Sequence, residues 1–169
     1  MTYMGCGSSE PFVYTVADVE FDMAQLAPRL PVAELMNGGI IKLEGANGFF
    51  NPNSLLDPSW LKGKMTTQEF AQAIDYINRC TAHSHVGLSK VSTRFERRMR
   101  LKLRTDAGMA AVEQINQRFR SVRFTYQATA EDIMINTSYD TTVTGGYGNR
   151  GLAAAVHATK VLLYIATNE

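Results

Sequence analysis

Three side chains able to hold a metal fall within six residues, at Cys80, His83 and His85. Thiolate and imidazole are the donors zinc prefers, but a closed site needs a fourth ligand. No further cysteine or histidine pair stands nearby to supply it, so no metal centre is expected. A different chemistry is suggested near the N-terminus. Met4-Gly5-Cys6-Gly7-Ser8-Ser9 fits the N-myristoylation pattern, with a cysteine directly after the glycine. One myristoyl chain binds a membrane only marginally, so a palmitoyl thioester on Cys6 would be the second anchor. The pattern operates if Gly5 becomes N-terminal, which requires a start at Met4; a start at Met1 silences it.

The glycine-rich stretch Thr144-Gly-Gly-Tyr-Gly-Asn-Arg-Gly151 lacks the Lys-Ser/Thr of a phosphate-cradling loop. It reads as a connection. No His-Glu-x-x-His and no Gly-x-Ser-x-Gly occurs, and no nucleophile has a credible base close in sequence. The expectation is a binding protein with no catalytic residues and no cofactor.

Charge points the same way. The 169 residues carry a net charge of +1, yet Lys90, Arg94, Arg97, Arg98, Arg100, Lys102 and Arg104 face Glu96 alone. That block has a net charge of +6 and leaves −5 for the remainder. A basic block in an otherwise acidic chain suits an anionic partner, or is simply a solvated helix face. Phe95 is the one aromatic interleaved with the cations, whereas single-strand nucleic-acid binders present several stacking rings. Anionic lipid headgroups fit better, at about 1 kcal/mol per near-surface cation. Protein or nucleic-acid contact through residues 90–104 of a structural subunit stands as the alternative.

These residues need elements to position them. Apolar residues make up 45% and charged residues 20%, the composition of one globular domain. Residues 1–11 read as a flexible lead-in and 12–169 as a single domain. Two cysteines make no disulfide framework, and the apolar run 151–166 is interrupted by His157, Thr159 and Lys160. With no secretory leader read at the N-terminus, a cytoplasmic location is expected. Phe12 to Phe21 alternates and predicts a strand; Gly39 to Glu44 predicts another. Thr66 and Glu69 form a capping box, with Met65 and Phe70 as a hydrophobic staple. Phe70, Ala73, Ile74, Ile77 and Cys80 then share one face of a helix from about Thr67 to Thr81. Two more helical stripes follow, Leu88 to Leu103 and Asp106 to Phe119, with Thr105 as the second cap. Val122 to Tyr126 and Ile133 to Ile135 predict two strands with a turn near Ala128 to Glu131, and a last strand begins near Thr159. The sum is an α+β fold: a small antiparallel sheet packed against two to three helices.

One stretch resembles a known family. Asn51-Pro-Asn-Ser-Leu-Leu56, then Leu61, Gly63 and Lys64, then Glu69, Phe70, Ile74, Ile77 and Asn78, are similar to the signature of the golgin subfamily A member seven family. That family includes palmitoyltransferase accessory subunits and the cysteine-rich hydrophobic domain proteins. The resemblance centres on residues 51–80 and implies a non-catalytic partner of a membrane-bound Asp-His-His-Cys palmitoyltransferase at Golgi or related membranes. It also implies acylation at a cysteine near the end of the signature helix, which here is Cys80. Family members carry apolar, cysteine-bearing stretches after that helix, whereas this chain has the basic segment. Gly5, Cys6 and Cys80 are thus the expected lipid sites on a peripheral membrane adaptor, and Lys90 to Arg104 its headgroup-facing surface.

Overall fold

Thr66 begins α2 (Thr67–His83) as its sequence requires. Its hydroxyl accepts from the Glu69 amide at 3.1 Å, and the Glu69 carboxylate accepts from the Thr66 amide at 2.9 Å. Two amides that the helix leaves unpaired are satisfied reciprocally. Before it, the 3-10 turn Pro58–Leu61 ends on Lys62 in the left-handed region (φ 50°), followed by Gly63 at φ 70°. A side chain is strained in that conformation and glycine is not, so Gly63 lets the chain reverse into the cap. The computed structural model from which these geometries come describes residues 13–45, 49–89, 94–137 and 152–168, with the backbone alone at 29, 94–97, 129–137 and 152–159.

Phe70, Ile74 and Ile77 of α2 are fully buried. They pack on one face of a four-stranded antiparallel sheet in the order β1-β2-β4-β3. The strands are β1 (Glu34–Leu35), β2 (Ile41–Gly45), β3 (Val122–Thr137) and β4 (Leu152–Thr167). Strand period explains the face: Ile41 and Leu43, Val122, Phe124 and Tyr126, and Val161, Leu163 and Ile165 all point inward. α3 (Arg94–Arg118) adds Ala111, Val112 and Ile115 to the same core. The alternate residues Lys42, Glu44, Leu162, Tyr164, Thr125 and Gln127 lie on the other face. The α+β expectation therefore holds in its class, its antiparallel sheet and its number of helices.

Four local expectations give way. The region around Val16 to Phe21 is not a strand but α1 (Val16–Leu26), begun by a capping box in which Thr15 pairs with Asp18. Leu88 lies in the turn after α2, and its carbonyl accepts from the Tyr14 amide at 2.9 Å. The expected break at Thr105 is absent, because α3 runs through it and the Thr105 hydroxyl donates back to the Leu101 carbonyl at 2.8 Å. The expected turn at Ala128 to Glu131 is also absent, since pairing with β4 continues without interruption from Val122 to Thr137. Residues 1–11, with Gly5 and Cys6, and the glycine loop at 144–150 lie outside the described residues.

Two asparagines tie helix to backbone. Asn78 accepts from the Phe50 amide at 2.8 Å and donates to the Phe50 carbonyl at 2.7 Å. Asn116 does the same for Phe124, at 2.7 Å and 2.9 Å. Phe50 and Tyr126 then meet edge to face, with centroids 6.2 Å apart. Gly108 of α3 lets that tyrosine come close, since a Cβ there would stand 2.5 Å from the Tyr126 ring. Asn78→Leu keeps the volume but strands a buried N–H and C=O. It should cost about 3 kcal/mol in urea unfolding, and Asn116→Leu, at a less buried site, should cost less.

Candidate functional site

α3 sets the site by helical spacing. Four of the expected basic residues have described side chains, and they divide in two. Arg98 and Lys102 are exposed, and Lys102 pairs with Asp106 at 3.0 Å. Arg100 and Arg104, one turn apart, are half-buried against the domain. The side chains of Arg94 and Arg97, and the whole of Lys90, lie outside the described residues.

The inward pair meets groups from distant parts of the chain. Arg100 donates to the Ser89 carbonyl, and its guanidinium carbon lies 5.4 Å from the Tyr14 ring centroid, a cation–π distance. Tyr14 is brought there by backbone bonds to Gly87 and Leu88. Arg104 Nε donates to His85 Nε2 at 3.3 Å, so that nitrogen is the acceptor of a neutral imidazole. His85 is buried at the end of the turn that follows α2. Burial first, then the charges of Arg104 and Arg100, holds its pKa down at about 4. Burial pushes the Tyr126 hydroxyl up to about 12, against the pull of nearby Arg104. The Tyr126 hydroxyl and Arg100 Nε are both buried without a hydrogen-bond partner among the described residues.

Cys80, the expected acyl site on α2, is a free thiol of intermediate exposure. It lies one helical turn from Tyr76, whose hydroxyl donates to Gln114 and whose pKa the neighbouring thiol raises. A cleft of about 480 Å³ between α2 and α3 passes this point, lined by Tyr76, Arg79, Ile115, Arg118 and Phe119 among others. His83 is exposed while His85 turns to Arg104, so Cys80, His83 and His85 do not converge. No cluster of three or more His, Cys, Asp or Glu is found among the described residues, and no helix among them is long and apolar enough to cross a membrane.

The signature residues prove to be structural. Leu61, Phe70, Ile74 and Ile77 are core, Gly63 permits the reversal, Glu69 caps α2 and Asn78 binds Phe50. Sequence reading missed the His85, Arg100, Arg104 and Tyr126 cluster. Its one signal was the i,i+4 spacing of the two arginines, which gives no direction by itself.

The cluster has a pH consequence. The folded pKa of His85 lies below its ordinary value of 6.5, so the unfolded chain binds the proton more tightly. The stability His85 contributes is present above pH 6.5 and is lost as pH falls toward 4. The shift corresponds to at most about 3 kcal/mol, less where solvent screens the ring. His85→Gln should flatten the wild-type decline in unfolding free energy across that window, measured by urea titration at successive pH values.

Compared with known proteins, the chain matches no family model, no curated protein and no solved structure.

Proposed function

We propose that the chain is a non-catalytic peripheral adaptor, of the kind that accompanies a membrane-bound palmitoyltransferase on the cytoplasmic face of Golgi or related membranes. The observation that supports this reading is the physical unity of residues 61–78. The spacing shared with accessory subunits is the spacing needed to build one unit: a buried leucine, a left-handed reversal, a capped helix and an asparagine clasp. A signature most of whose members serve packing or capping makes a scaffold, and scaffolds act through their surfaces.

The surface suits that role. Phe21 is 63% and Leu56 64% exposed, and Val32, Leu35 and Met36 are exposed on and beside the short edge strand β1. Large apolar side chains left in water are common partner contacts. Cys80, on the helix that carries the signature, is the acyl acceptor in this reading, with Gly5 and Cys6 as further lipid sites.

The test is co-expression with the Asp-His-His-Cys palmitoyltransferases of the source genome. One of them should co-purify in detergent, with autoacylation raised severalfold by the chain, while the chain alone transfers no acyl group. Phe21→Glu, at an exposed site, should weaken that effect without lowering the melting temperature. Unchanged autoacylation and no complex with any of these enzymes would reject the adaptor role.

A further inference from the structure

Arg100 and Arg104 are two cations on one inward face of α3, and every acceptor they meet among the described residues is neutral. Arg100 has the Ser89 carbonyl and the face of Tyr14; Arg104 has the imidazole Nε2 of His85 at 3.3 Å. Among the described residues no carboxylate pairs with either of them. Like charges one helical turn apart repel, and half-buried cations are normally paired. The donors outnumber the acceptors as well. Arg100 Nε and the Tyr126 hydroxyl are buried with no hydrogen-bond partner among the described residues, and Tyr126 stands on β3, across from α3. Native folds seldom leave such groups unmatched unless something absent completes them.

We propose that Arg100, Arg104 and Tyr126 form a binding site for a phosphate-class oxyanion, a phosphate monoester or its inorganic equivalent. A dianion matches two guanidinium charges, where a carboxylate would leave one uncompensated. Tetrahedral oxygens can also accept from donors on two different elements, α3 and β3, and the planar forks of arginine suit them. His85 fixes Arg104 by accepting from Nε, which leaves the terminal nitrogens of that guanidinium for the anion. Tyr14 does the corresponding job for Arg100 by giving its ring as a platform. The site stands on these contacts and does not depend on the adaptor role.

The experiment measures melting temperature and isothermal titration heats of the full chain with inorganic phosphate, against sodium chloride at equal ionic strength. Phosphate should raise the melting temperature in a saturable way where chloride does not. Arg104→Gln should weaken its dissociation constant at least tenfold, and Tyr126→Phe, which keeps the ring against Gly108, should weaken it severalfold. Arg98→Gln with Lys102→Gln, on the outer face, should leave it unchanged. Tyr126→Phe guards against misreading, since it removes one hydroxyl and leaves the packing intact. Vesicles of phosphatidylcholine with and without phosphatidic acid identify the source. Phosphatidic-acid binding that soluble phosphate displaces and Arg104→Gln removes assigns a lipid headgroup; phosphate binding without it assigns a soluble phosphate. A phosphate effect no larger than that of chloride, or one that survives both Arg104→Gln and Tyr126→Phe, overturns the site.

Discussion

An asparagine side chain can serve one peptide unit as a neighbouring β-strand would, and the fold rests on Asn78 doing this for Phe50. Phe50 lies between β2 and α2, outside the four strands, and its amide and carbonyl both bond to the one side chain. Asn78 brings a donor and an acceptor in the right order on the buried face of α2. The Phe50 ring, fully buried, can then meet Tyr126 edge to face. Asn116 repeats the device on α3 for Phe124. Each helix is thereby fixed in register as well as by apolar contact, which alone would tolerate sliding. Directional bonds specify one arrangement; burial supplies most of the energy.

What could be read from sequence follows from how local each cause is. The α2 cap is written in two residues three apart, with the apolar stripe behind it, and nothing distant competes. α1 uses the same device with Thr15 and Asp18, but aspartate is a less familiar partner than glutamate and the alternating residues from Phe12 to Phe21 suggested a strand. The error at Thr105 has a different source. A threonine after charged residues resembles a cap, and it becomes an interior residue because its hydroxyl can return to the carbonyl of Leu101. Gly108 weakens a helix by up to about 1 kcal/mol against alanine, and its reason for standing in α3 lies on β3, in a tyrosine ring that no local window contains. The length of the final hairpin was hidden likewise, because the apolar alternation lapses from Ala128 to Glu131 and only the partner strand shows that this stretch continues extended.

The same limit governs the candidate site. The basic run was plain as composition, and helical spacing put Arg100 and Arg104 on a common face. Which face turns inward is decided by Tyr14, 86 residues from Arg100, and by His85 and Tyr126, 19 and 22 residues from Arg104, all outside α3. Arginine tolerates that position better than lysine would. Its charge is spread over a plane that can stack on Tyr14 while its edge still donates.

This division of the helix changes the balance of forces available for membrane contact. Headgroup attraction scales with the number of cations near the surface, at roughly 1 kcal/mol each. Of the four described, Arg100 and Arg104 are turned inward and Lys102 is already paired with Asp106, which leaves Arg98 fully available. An adaptor built this way draws its membrane residence less from charge than from acyl chains and protein contact. A lone acyl chain is itself only a marginal anchor. For the proposed role, the apolar side chains exposed on α1 and beside β1 therefore weigh more than the four described cations do, because a contact with a protein partner would add to what acyl chains supply.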